Sequence, residues 1–278
     1  HESQVRSLAI GPAGENRSRI AVLLTDTENA AGQGGFGGVA GSKNLKAICV
    51  KGSGKVRIAH PEELLRLRKE LQPQPDKNPV ERWGPWPYDG HTVENVPYPR
   101  NVTSCTHSCD RHCFREFRDV PRVTRPGRRA GRWGCIGPYT IGWMHPYGTQ
   151  WPLWWQGLEG GFETTELINQ YGLNEWELLG GMVPWLVMSY REGVLTDKGF
   201  DALKPVNPDS TEWWARLLHM IAFREGIGDL LAEGTSRAID ILGRAQYGET
   251  MYSGERPIPT QINLQEAWGY AGHWSGRG

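Results

Sequence analysis

Cys105, Cys109 and Cys113 stand at strict four-residue spacing, and a fold that uses them together must bring three thiols to one point. On a helical turn, residues i, i+4 and i+8 lie near one face, so the three thiolates converge. Soft thiolate ligands select iron–sulfur clusters, zinc or copper(I). Five cysteines, three of them clustered, argue against a disulfide scaffold and for a reducing compartment, expected to be the cytoplasm. Cys49, in Ala47-Ile48-Cys49-Val50, reads as a core thiol on a buried strand. Cys135 lies in the glycine-rich Trp133-Gly134-Cys135-Ile136-Gly137, a setting that leaves it free to act as a ligand.

The triplet supports three chemistries. Zinc sites normally use C-x2-C pairs or added histidines; His107 and His112 are present, but the spacing is unusual for zinc. Radical enzymes that use S-adenosylmethionine carry a triplet one residue tighter at its end, early in a βα barrel that this chain lacks. A [4Fe-4S] cluster needs four ligands, of which three are here. The fourth is either Cys135 or a cysteine beyond the end of the chain.

Charge narrows the partners. With 31 basic and 31 acidic side chains and a pI near 7.2, nothing points to nucleic acid or an anionic membrane surface. No apolar run approaches a membrane span, and no signal peptide is visible.

The chain divides into three stretches and reads as α+β. Residues 1–52 look like a short α/β piece with strands over 5–10, 19–24 and 45–50, a turn over 11–16 and a glycine loop over 32–38. Residues 53–160 look irregular apart from a helix opened by Pro61-Glu62-Glu63-Leu64. Residues 163–243 are helical. Asn174 with Glu177 predicts a capping box before a helix over 178–190 that Gly193 stops, and Asp209 with Glu212 predicts the same before 213–223. A third helix is expected over 229–242.

Gly32, Gly34 and Gly37 match G-x-G-x-x-G, but the loop does not directly follow a strong strand and no ribose-binding acid follows it. Gly41-Ser42-Lys43-Asn44 lacks the order of a Walker A loop. What stays open is a ligand-free glycine turn, or a cradle for another phosphate built from glycine amides with charge from Lys43 and Lys46. Thirteen tryptophans are many for this length; Trp213 and Trp214 read as core, and Trp83, Trp86, Trp151, Trp154 and Trp155 lie in proline–glycine loops suited to walling a substrate channel. Acid–base candidates are His273, Glu163, Glu159 and His145, each beside aromatic or glycine-rich sequence, with His273 first.

Four segments carry a resemblance. Residues 10–16 (IGPAGEN), 30–48 (AAGQGGFGGVAGSKNLKAI), 169–174 (NQYGLN) and 224–234 (REGIGDLLAEG) together resemble the tungsten-dependent aldehyde ferredoxin oxidoreductase family, in the right order along nearly the whole chain. The resemblance implies residues 1–52 as the C-terminal part of an N-terminal pterin-binding domain and 53–278 as a mainly helical cluster- and pterin-binding domain. It also implies a fragment lacking most of the N-terminal domain and the C-terminal part. The implied cofactors are a [4Fe-4S] cluster on Cys105, Cys109 and Cys113, and a tungsten (or molybdenum) bis-pyranopterin with Mg bridging its phosphates. Gly34, Gly35, Gly37, Lys43, Asn169, Leu173 and Asn174 match the pterin-binding motifs.

Implied partners are a ferredoxin or an iron–sulfur electron-transfer subunit, a small aldehyde or acyl-CoA substrate, and further copies in an oligomer. Departures are Gln33 for the family's common arginine, Asn169 and Asn174 for the two acids of D-x-x-G-L-D, and a triplet wider than C-x2-C-x3-C. The wider triplet is expected in branches nearer the class II benzoyl-coenzyme A reductase subunit, in which a cysteine such as Cys135 would be a tungsten ligand.

Overall fold

The computed structural model describes residues 5–26, 29–32, 34–52, 54, 57–71, 98–103, 114–133, 156–191, 193, 195 and 198–242. The first unit is a four-stranded antiparallel sheet in the order β3-β2-β1-β4, from β1 (Arg6–Ile10), β2 (Leu23–Thr25), β3 (Ala30–Ala31) and β4 (Ala47–Val50). Leu8 stands opposite both Thr25 and Ile48, so β1 is the central strand. Edge strand β4 is exposed along its whole length, which corrects the reading of Cys49 as a buried thiol.

Two expected loops are short helices. Pro12, whose missing N–H costs nothing in a first turn, opens α1 (Pro12–Glu15), and α2 (Phe36–Ser42) follows Gly35. The strand expected over 19–24 forms only at 23–25, because residues 20–22 leave the sheet to pair elsewhere.

Helix α3 (Pro61–Leu71) starts at the expected proline. The stretch beyond it contains an antiparallel meander, β5 (Arg100–Thr103), β6 (Phe114–Pro121) and β7 (Arg128–Trp133), where the sequence suggested irregular chain. Its alternation is hidden by a bulge between Phe117 and Val120, where Asp119 takes φ 59°. Phe117 and Val120 are both buried, although three residues apart.

The rest is helical, as expected. Helix α4 (Gly157–Tyr171) ends on Gly172 at φ 71°, with the Leu173 N–H donating to Ile168 O at 3.0 Å. The helix expected over 178–190 is α5 (Glu175–Glu177), a π turn (Leu178–Met182) and α6 (Val183–Arg191). Pro184 has no N–H to return to the carbonyl four residues back, and the wider turn absorbs that loss. Helix α7 (Thr211–Phe223) is capped by Ser210 rather than Asp209, the Ser210 hydroxyl accepting from Trp213 N–H at 3.2 Å.

The expected helix over 229–242 is two, α8 (Ile227–Leu231) and α9 (Thr235–Leu242), parted at Gly234 with φ 91°. Trp185, Trp213 and Trp214 anchor the core, and the last two donate their indole N–H to Leu203 O and Pro208 O at 2.8 Å. No helix among the described residues is long and apolar enough to cross a membrane.

Candidate functional site

Residues 18–22, buried except at the exposed Arg19, form a strip on which two motif segments rest. On one side, Asn174 N–H donates to Ile20 O at 2.8 Å, Val22 N–H donates to Gly172 O at 2.9 Å, and Ala21 bridges Leu173. On the other, Gly37 N–H donates to Ala21 O at 3.0 Å. The glycine segment and Gly172-Leu173-Asn174, far apart in sequence, therefore meet across three residues.

Close approach explains most of the glycines. A Cβ on Gly37 would sit 2.5 Å from Val22 O, and one on Gly41 only 1.8 Å from Gly14 O. These residues let the α2 backbone lie directly on 14–22, and Gly37's N–H is spent inside the protein. Gly35, in the left-handed region at φ 66°, packs the same way against Arg19 O. The open part of the loop is Gly32, where an added Cβ would meet only the Ala30 Cβ at 3.7 Å; at Gly34, with φ 80°, it would meet the Phe36 ring at 3.1 Å. Lys43 caps the far end of α2, about 12 Å along the axis from Gly35, so it and the glycine turn are not brought together. Lys46 is paired with Glu15 at 3.0 Å.

The two asparagines differ. Asn174 is buried, and its Oδ1 accepts from Glu177 N–H at 3.4 Å as a helix cap. The reciprocal half of the box does not form, because Glu177 Oε1 instead accepts from Thr235 N–H at 2.8 Å and from its hydroxyl at 2.7 Å. Asn169 is half-buried in the last turn of α4, and its carboxamide has no hydrogen-bond partner among the described residues.

Glu163 is 1% exposed and clamps the β6–β7 turn. Its carboxylate accepts from Val123 N–H at 2.5 Å, Thr124 N–H at 3.1 Å and Thr124 Oγ1 at 2.5 Å, with Arg125 at 3.5 Å. Burial pushes its pKa up, but the Thr124 and Val123 donors and the Arg125 charge outweigh burial and hold it below the ordinary value. Such a carboxylate is a fixed anion and a poor proton donor. Glu159 accepts from the Tyr98 hydroxyl and stays half-exposed at the start of α4.

His273, His145, Gln33 and the thiols Cys105, Cys109, Cys113 and Cys135 lie outside the described residues. No group of three metal-ligating side chains occurs among the described ones. The strands that flank the cysteine segments are described. Thr103 stands opposite Phe114 and Arg115 opposite Trp133, so β5 ends, β6 begins and β7 ends at one end of the meander. The sequence marks Arg224 only as the first residue of the 224–234 segment, with no role assigned, yet it ties residues 16–17 to 229–233.

The family model described as "Aldehyde ferredoxin oxidoreductase, N-terminal domain" matches residues 1–52, and that for "domains 2 & 3" matches 90–266. Among curated relatives, the tungsten-containing aldehyde ferredoxin oxidoreductase of Pyrococcus horikoshii is 29% identical over 267 residues, covering 88% of this chain and 43% of the relative. The "Aliphatic sulfonate oxidoreductase, WOR-like subunit" of Pyrococcus furiosus is 28% identical over 303 residues, covering 94% and 46%. The solved active-site complex BamBC of benzoyl coenzyme A reductase with 1,5-dienoyl-CoA shares the fold at a TM-score of 0.64 and 22% identity, covering 92% of this chain and 43% of that one. The chain thus spans less than half the length of these relatives. Its matches to both family models show that it belongs to the aldehyde ferredoxin oxidoreductase family.

Proposed function

We propose that this chain is part of a tungsten bispterin iron–sulfur oxidoreductase that oxidises an aldehyde to a carboxylate. R–CHO and water would give R–COOH, two protons and two electrons; a cluster held by Cys105, Cys109 and Cys113 would supply one-electron relay, with a ferredoxin or a partner iron–sulfur subunit as acceptor. The observation that carries the reading is the meeting of the glycine segment and Gly172-Leu173-Asn174 on Ile20-Ala21-Val22. The Pyrococcus horikoshii relative is named as tungsten-containing, which supports tungsten over molybdenum.

The described residues fit a pterin at two points. Asn169 offers a half-buried carboxamide with both donor and acceptor character and no partner among the described residues, and the turn at Gly32 is open to a phosphate. Asn174 fits less well, because its carbonyl oxygen already caps a helix. When bound, the tungsten pterin supplies the two-electron couple. The chain's own part would be to hold the pterin through Asn169 and the glycine turn, with buried Leu173 behind Asn169, and Mg would neutralise the pterin phosphates. Cys105, Cys109 and Cys113 hold the cluster. His273 moves the proton at the substrate carbonyl with Glu159 as second candidate, while Glu163 keeps the meander in place. Residues 1–52 act as the end of a pterin-binding domain and 53–278 as the cluster- and pterin-binding domain, in the cytoplasm.

Two other readings have their own support. The C-x3-C-x3-C spacing and the likeness to the BamBC complex favour low-potential reduction of an aromatic acyl-CoA. The use of Asn174 as a helix cap favours an iron–sulfur electron-transfer module without pterin. The full native protein, purified without oxygen, is assayed for dye reduction by aldehydes and for acyl-CoA reduction by a low-potential donor. Aldehyde-dependent dye reduction supports the first reading; acyl-CoA turnover alone supports the second, and neither activity supports the third.

A further inference from the structure

Arg224 directly follows α7 and lies in the left-handed region, at φ 56° and ψ 41°. A residue with a Cβ holds that conformation only where its surroundings over-determine it. Here its guanidinium supplies the reason, because all five of its N–H groups find acceptors. Nε donates to Asn16 O at 2.7 Å, and Nη2 donates to Arg17 O and to Glu233 Oε1, both at 2.9 Å. Nη1 donates to Asp229 Oδ1 at 2.7 Å and to Asp229 O at 3.3 Å. Asn16 returns a bond, its Nδ2 donating to Ala222 O at 2.9 Å.

Both ties on the N-terminal side fall on the two residues just before the 18–22 strip. Arg19 N–H and the Ser18 hydroxyl continue the seam by donating to Ala232 O at 2.9 and 3.1 Å. The meander that flanks the cysteine segments is held separately, through Glu163 on α4.

We infer that Arg224 is a positioning residue for the pterin cofactor: it fixes the turn from which the strip departs, and so sets the spacing between the glycine segment and Asn169–Asn174. The inference rests on the pterin reading above. Lysine cannot replace it, since three donors on one nitrogen cannot span three carbonyls and two carboxylates lying in different directions.

The test uses the full native protein, purified without oxygen, as wild type and as Arg224→Lys. Tungsten, iron and the fluorescence of released, oxidised pterin are measured before and after repeated gel filtration. Arg224→Lys is expected to lose tungsten and pterin roughly tenfold faster, the cost of one misplaced charge-assisted hydrogen bond, with iron per chain unchanged. Arg237→Ala, which removes a surface partner of the same Glu233 at 3.4 Å, is expected to retain both.

Equal tungsten retention in wild type and Arg224→Lys overturns the proposal, as does an equal loss in Arg237→Ala. Wild-type protein releasing no pterin overturns the pterin reading and the proposal with it. If Arg224→Lys yields no folded protein, Asp229→Ala removes one side-chain acceptor and carries the same test: faster tungsten loss with iron intact supports the proposal, and wild-type retention overturns it.

Discussion

Val22 donates its backbone N–H to the carbonyl of Gly172 at 2.9 Å, joining residues 150 positions apart. Only a tight, side-chain-free approach allows this seam, since a Cβ on Gly172 would lie 2.8 Å from Gly11 N. The seam links the N-terminal sheet to the helical stretch and puts the motif segments side by side.

Glycine packing against this seam predicts a sharp contrast. Gly41→Ala drives a methyl to 1.8 Å from Gly14 O. It is expected to cost about 3 kcal/mol or more in chemical denaturation. Gly32→Ala meets only the Ala30 Cβ at 3.7 Å. Its change should stay within about 0.5 kcal/mol.

Glu163→Gln is expected to destabilise the protein by about 2 kcal/mol, because it removes a buried charge that accepts from Val123 and Thr124. The folded pKa lies below the ordinary 4.5. Stability from this group is therefore complete above the ordinary carboxylate range and is lost as pH falls through the depressed folded value. The variant should show a flatter acid limb in unfolding measured from neutral pH downward. A variant whose acid limb matches wild type would refute the clamp.

Glu177→Ala strands the N–H and hydroxyl of Thr235 at the start of α9. A loss of about 2 kcal/mol is expected in thermal or chemical unfolding. Asn174→Asp keeps an oxygen for the Glu177 N–H and should change stability by less than about 0.5 kcal/mol.

These results locate what a sequence can carry. Helix ends were legible where the signal is local, as at Pro61 and at Gly193, whose N–H closes on Tyr190 O at 3.0 Å. Capping was legible in kind but not in partner: Glu177 satisfies Thr235, a residue 58 positions away that no local pattern could name. The meander was hidden because the bulge after Phe117 breaks the period of two. Within the candidate site, the motif segments were readable one by one. Their meeting on Ile20–Val22 depends on long-range backbone bonds, which leave no mark in spacing.

Cys135 follows Trp133 by two residues, and Trp133 pairs with Arg115 beside the start of β6, which Cys113 directly precedes. Cys135→Ser should lower iron content if the thiol completes the cluster. Tungsten falling with iron intact would assign it to the pterin metal instead, and unchanged metals would leave it no ligand role.

The account's central claim is tested most directly by metal and sulfide analysis of the full native protein, prepared and kept without oxygen. It predicts about four irons with matching sulfide, and about one tungsten, per chain. Colourless protein lacking iron, sulfide and tungsten would contradict it.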